Sequence, residues 1–232
     1  MTTIVEPDNH ETVRTLTGRP LLQVEELSCE RSEIPLFSDL SFSITQGEIV
    51  RISGPNGSGK TTLLRAIAGI HRPVAGRVVW ELQEMARRDP ATGPKIGYIG
   101  HTPGLRGEMT AHENLEFYSR IGGRNSGKSP MQCLETFGAA HCASLPCARL
   151  SAGQRQRVAL ARLCLKDNDL WLLDEPATSL DGEGVDILQD FARRHLGNGG
   201  LVVYSSHQPL DFGPERGSEI NLADFQGAAS EC

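Results

Sequence analysis

From Leu21 onward the chain alternates short apolar runs with stretches whose apolar residues recur at helical spacing. "LLQVEEL" at 21–27, "LSFSI" at 40–44, "EIVRIS" at 48–53, "RVVWEL" at 77–82 and "KIGYIG" at 95–100 have the length and content of strands. After the third of these, "TTLLRAIAGI" at 61–70 has the period of a helix. A mostly helical stretch runs from about 110 to 166. It opens on "TAHE", a capping box with Thr110 as N-cap and Glu113 reaching back from N3, and this helix should stop at Gly122 and Gly123. Ser129 and Pro130 offer a second N-cap with proline at N1, leading a helix through Leu134 and Phe137. "LWLLDEP" at 170–176 and "LVVYSSH" at 201–207 are strands again and bracket a helix at about 182–196. Such alternation predicts an α/β sheet. The order strands, helices, strands predicts a helical subdomain at about 102–166, inserted into a sheet-based core over 20–232. Residues 1–19 are polar and aperiodic and read as a flexible extension.

Composition narrows the function classes. A chain of 232 residues buries about 70 to 75% of its unfolded surface, enough for one real core. The formal net charge of -6 argues against a chain-wide basic face, and so against nucleic acid as a partner. Six scattered cysteines without a CxxC pair suit reduced thiols in the cytosol. Cys142 and Cys147 flank no second ligand pair, which leaves His141 beside them without metal-site spacing. No stretch approaches the roughly 18 to 20 apolar residues of a membrane helix, so no direct membrane insertion is expected.

The chemistry is clearest in "GPNGSGKTT", comprising Gly54, Pro55, Asn56, Gly57, Ser58, Gly59, Lys60, Thr61 and Thr62. This is G-x-x-x-x-G-K-[ST] placed after a strand and before a helix, where backbone N–H groups and a helix N-terminus can cradle phosphates. Lys60 would reach the β- and γ-phosphates and Thr61 would ligate Mg²⁺. The same pattern recurs as "GGRNSGKS" at 122–129, but after the helical "HENLEFYSRI", so this copy reads as a solvent loop. In "LWLLDEP" a buried strand delivers Asp174 to its carboxyl end near Mg²⁺, with Glu175 next to it, able to polarise a water aimed at the γ-phosphate. "LSAGQ" at 150–154 feeds a helix whose N-terminus, with Ser151, Ala152, Gly153 and Gln154, is a second anion-binding end that one nucleotide has no need of.

With these motifs in this order, about residues 20–225 resemble the ATP-binding cassette ATPases. The resemblance implies a P-loop NTPase core with a β-subdomain and an inserted helical subdomain. It makes "SLD" at 179–181 a D-loop in which Asp181 links two sites, and His207 a switch residue steadying the γ-phosphate. It implies ATP and Mg²⁺ as cofactors and a head-to-tail dimer with a second copy of the chain, each γ-phosphate lying between one chain's phosphate loop and the other's signature helix. The signature carries Ala152 where glycine is usual, a small change that should be tolerated, and two larger departures stand out. Arg31 occupies the place where the family stacks an aromatic ring on adenine, and a guanidinium can also stack or simply face solvent. His101 occupies the Q-loop position of a glutamine that contacts Mg²⁺ or the attacking water. A ring nitrogen there either replaces that contact and adds a titratable group, or the ring only packs at the strand end.

"IGHTPG", "LSCER", "AHENLEFY", "LSAGQRQRVALARL" and "HQPL" are similar to one branch, the ATP-binding subunits of cytochrome c maturation, described as haem exporters. That likeness implies an integral-membrane permease subunit (CcmB-like) and a peripheral location at the cytoplasmic face of the inner membrane. It also implies an ATP cycle supporting haem export or release of a haem-loaded chaperone. An ATPase of another importer or exporter would share every catalytic residue. A soluble cassette ATPase usually carries tandem cassettes or a long coiled coil. His71, His112, His141 and His195 read as surface or packing residues.

Overall fold

The computed structural model describes residues 21–85, 93–121, 124–212 and 217–226, and the extension expected over 1–19 lies outside them. In chain order the elements are β1 (Leu22–Arg31), β2 (Ile34–Ile44), β3 (Ile49–Ser53), α1 (Lys60–Ile67), β4 (Ala75–Trp80), β5 (Gln83–Glu84) and β6 (Ile96–Ile99). There follow α2 (Ala111–Arg120), α3 (Pro130–Thr136), α4 (Ala152–Ala161), β7 (Leu170–Asp174), α5 (Gly182–Gly197), β8 (Leu201–Ser205) and β9 (Gly217–Asn221). Strands β2-β1-β4-β5 make an antiparallel sheet, and β6-β7-β8-β3-β9 make a parallel one.

The continuous apolar run of β7 has a physical reason. Leu170 and Leu172 enter the core between the two sheets, where α1 also packs, while Trp171 and Leu173 enter a second core beneath α2 to α5. A parallel strand covered on both faces needs no polar alternation. The second core includes a ring stack in which Trp171 lies 3.9 Å from His195 and 5.1 Å from Phe191, so His195 is a packing residue as expected.

The expected capping box at Thr110 and the expected N-cap at Ser129 both form, the latter as a capping box too. Thr110 and Glu113 close the start of α2, and Ser129 with Gln132 closes α3 behind Pro130. Helix α2 ends at Arg120, and the expected stop at Gly122 and Gly123 lies outside the described residues. Helix α1 ends at Ile67, a turn earlier than its apolar period suggests, because the chain tightens at Ala68 and Gly69. Strands β1 and β2 run further toward each other than the sequence predicts. They meet across Ser32 and Glu33, both at positive φ (52 and 66°), the conformation of a two-residue hairpin turn normally signalled by asparagine and glycine.

Candidate nucleotide site

The parallel sheet brings its chemistry to one edge. Strand β3 ends in the glycine loop, β7 ends at Asp174, β8 at Ser205, and β6 runs out two residues before His101. Carboxyl ends of parallel strands are where α/β sheets bind ligands. A cavity of about 470 Å³ lies there, lined by Arg31, Asn56, Lys60, Thr61, His101, Asp174, Glu175 and His207 among others.

The loop is set by its glycines. Gly59 adopts φ 101°, and a Cβ on it would come within 2.9 Å of the Phe37 ring, so only glycine fits between the loop and β2. Lys60 is buried, and its Nζ donates to the carbonyls of Gly54 (2.8 Å) and Pro55 (3.1 Å). Two of its three ammonium protons are thus engaged, and one is left for an anion. Ser58 Oγ is buried without a hydrogen-bond partner among the described residues. Asn56, Gly57 and Thr62 line the cavity beside them.

Thr61 Oγ1 donates to Asp174 Oδ2 at 2.8 Å, and Ser205 Oγ donates to Asp174 Oδ1 at 2.7 Å. The Ser205 hydroxyl also accepts from the backbone N–H of Glu175 at 2.9 Å, fixing the residue at which the chain turns with φ 52°. Glu175 Oε1 is buried and makes no hydrogen bond among the described residues, and His207 Nε2 stands 3.5 Å from it. A carboxylate oxygen with an open lone pair at a cavity wall is placed to take a proton or orient a water.

Helix α4 begins outside this cavity. Ser151 is its N-cap, accepting from the Gln154 N–H (3.1 Å) while Gln154 Oε1 accepts from the Ser151 N–H (2.9 Å), so the Ser151 hydroxyl proton stays free to donate. Neither Ser151, Ala152, Gly153 nor Gln154 lines the cavity. Asp181 is the N-cap of α5 and takes the Arg157 guanidinium at 2.5 Å, which holds its carboxyl below the ordinary range. His101 is exposed, on a segment tied to the helices. Tyr118 Oη donates to the Gly104 carbonyl (2.6 Å), and Asn114 bonds both backbone groups of Arg106.

In the described part of the second glycine-lysine loop, residues 124–129, the polar groups have other partners. Its Ser126 donates to the Cys164 carbonyl, and Lys128 Nζ lies over the Phe191 ring, 5.6 Å from its centre. Ser205, Gln156 and Arg157 went unread in the sequence. "YSSH" carried a usable signal, since a small hydroxyl residue ending a strand beside an acid-ending strand can hold that acid.

A family model described as "ABC transporter" matches residues 37–178. The cytochrome c biogenesis ATP-binding export protein CcmA of Escherichia coli (strain K12) is 44% identical over 211 residues, covering 90% of this chain and 99% of that protein. Among solved structures, the dimeric bacterial ABC transporter cassette MJ0796 superposes with a TM-score of 0.72 at 26% identity, over 87% of this chain and 95% of that one. The same cassette as a post-hydrolysis dimer bound to ADP and Pi gives 0.66 at 26% identity, over 81% of this chain and 88% of that one. With the glycine loop, the acidic strand end and the helix start assembled on this fold, the chain belongs to the ABC transporter family, as one of its ATP-hydrolysing, nucleotide-binding subunits.

Proposed function

We propose that this chain is the ATPase subunit of a membrane ABC export complex serving c-type cytochrome biogenesis. It takes ATP with Mg²⁺, pairs head to tail with a second copy of itself, and works as a peripheral subunit at the cytoplasmic face of the inner membrane. The observation that carries the hydrolytic role is the convergence of Lys60, Thr61, Asp174, Glu175, His207 and His101 on one cavity. The biogenesis role rests on the likeness to CcmA, and haem export or release of a haem-loaded chaperone is the work that likeness implies. The paired arrangement is supported by an α4 N-terminus that lies outside its own chain's cavity, and by the dimeric cassettes of similar fold. No helix among the described residues is long and apolar enough to cross a membrane. The likeness to CcmA implies an integral-membrane permease subunit as the partner that holds the chain at the membrane. A groove of about 890 Å³ running from His101 to Tyr118 and Arg162 is its proposed seat.

The donor set fits Mg²⁺. Thr61 Oγ1 and Asp174 Oδ2 are hard oxygens already in contact, and Mg²⁺ takes one or two such protein ligands beside substrate phosphate. When bound it would offset phosphate charge. The loop N–H groups and the third Lys60 proton hold the β- and γ-phosphates, and the Thr62 hydroxyl adds a donor. Glu175 orients a water and takes its proton as the water oxygen bonds to the γ-phosphorus and the bridging oxygen leaves with ADP. His207 steadies the γ-phosphate, and Ser151 with Gly153 closes on it from the other chain. Asp181 links the two sites, and Arg31 faces the base. His101 relays occupancy along its segment to α2 and the groove.

Glu175→Gln is expected to keep ATP binding and stop turnover, and near-normal hydrolysis would remove Glu175 from its role. In a strain lacking this chain, c-type cytochromes should vanish from a haem stain, returning with the native chain and not with Glu175→Gln. Recovery of a permease unconnected with cytochrome c assembly from native membranes would overturn the biogenesis reading and leave the ATPase intact.

A further inference from the structure

The segment between Glu175 and Asp181 is fastened to helix α4 at three successive points. Gln156 is buried, and its Nε2 donates to the carbonyl of Pro176, the residue after the catalytic carboxylate (2.9 Å). Arg157, also buried, grips the other end of the segment, donating to Asp181 (2.5 Å), to Glu183 (3.1 Å) and to the Phe137 carbonyl (3.1 Å). Between them, Gly153 lies so close to the Ser179 carbonyl that a Cβ would meet it at 2.6 Å. The anion-facing end of the helix, Ser151 to Gly153, is therefore the first turn of the same rigid rod whose side holds this chain's own catalytic segment.

We propose that Gln156 and Arg157 are positioning residues for hydrolysis, tethering both ends of the 175–181 segment to α4. Seating of Ser151 and Gly153 on one nucleotide then sets the placement of Glu175 at the other. The inference rests on the head-to-tail pairing proposed above. The physical warrant is geometric. A helix turn moves as a unit, a carbonyl next to Glu175 follows the amide that holds it, and a base displaced by about 1 Å can lose roughly a hundredfold in rate. Neither side chain lines the nucleotide cavity, so neither acts by touching ATP.

Gln156→Met, close in volume but without a donor, is the first test, and Arg157→Lys, which keeps charge but not the fork, is the second. Each is made in the full chain, alone and with Glu175→Gln. ATP-driven dimerisation of the Glu175→Gln double variants, followed by sedimentation, should match that of Glu175→Gln itself. Turnover of the single variants should fall roughly tenfold or more, and the Hill coefficient for ATP should drop toward 1 from the higher value expected of the native chain. Native turnover and Hill coefficient in a variant that dimerises would overturn the tether. So would a tenfold loss of turnover with the native Hill coefficient, since that is the mark of a local structural defect. Should Gln156→Met not fold, Arg157→Lys carries the same readings. If Glu175→Gln alone does not dimerise with ATP, the pairing itself fails, a result separate from failure of the tether.

Discussion

Ser205→Ala removes one hydroxyl on which both acidic residues of the site lean. Ser205 Oγ donates to Asp174 Oδ1 at 2.7 Å and accepts from the Glu175 N–H at 2.9 Å, deep at the end of β8. Without it, Asp174 keeps the Thr61 hydroxyl, the group with which it would hold the proposed Mg²⁺. A hydrogen bond to a buried carboxylate contributes about 1.5 to 3 kcal/mol, a factor of roughly 10 to 100 in an equilibrium constant. Loss of a group that orients a metal-ligating carboxylate independently leads to about 10- to 100-fold in metal affinity. The two routes agree, so the Mg²⁺ concentration giving half-maximal ATPase activity should rise by about 10- to 100-fold at saturating ATP. A thermal melt of the same preparation checks that the fold survives, since only one oxygen is deleted. An unchanged Mg²⁺ requirement in a folded variant would refute the reasoning, because either Asp174 would not bind the metal or Ser205 would not hold Asp174.

Burial pushes the His195 imidazole down to about 4, from an ordinary 6.5. Between those values the unfolded chain binds a proton that the folded chain refuses, so stability is lost as pH falls through that window, by up to about 3 kcal/mol. His195→Phe keeps a ring on Trp171 without the titration, and urea unfolding at neutral and mildly acidic pH should show the native chain losing more than the variant. His101→Gln is expected to change the coupling of turnover to the proposed membrane partner. Unchanged coupling would remove this exposed ring from the relay. Arg31→Ala should raise the half-saturating ATP concentration about two- to fivefold if the guanidinium stacks on the base, a contact of roughly 0.5 to 1 kcal/mol. No change would leave Arg31 facing solvent.

Most of the sheet was legible because its strands obey their burial. Strand β7 is apolar on both faces and β3 nearly so, and the glycine loop followed a strand and opened a helix as its mechanism requires. The β1–β2 hairpin was illegible for a local reason. Ser32 and Glu33 adopt left-handed backbone without the asparagine or glycine that usually announces it, so strand ends around Arg31 could not be placed. The site's motif residues came from short patterns with a known spacing. Their supports did not, since Ser205, Gln156 and Arg157 act across 20 to 31 positions of sequence, and only the folded sheet edge brings them together. The repeated glycine-lysine loop shows the converse, that a motif without a strand behind it finds other partners for its polar groups.

Burial divides the site into two kinds of residue. Those that hold its geometry are sealed in a single chain: Asp174 is 2% exposed and Arg157 8%. Lys60 of the preformed loop is buried as well, but the residues assigned to steady the γ-phosphate and to link the two copies are open, the His207 side chain being 56% exposed and that of Asp181 67%. Charges and dipoles act weakly across water and far more strongly once water is excluded. On the head-to-tail reading a lone chain thus binds ATP on a preformed loop but leaves its catalytic electrostatics screened, and a second copy supplies both the missing donors and the dry surroundings. Hydrolysis by such a chain should then scale with dimer concentration, and a specific activity unchanged on dilution below the dimerisation constant would contradict this division of labour.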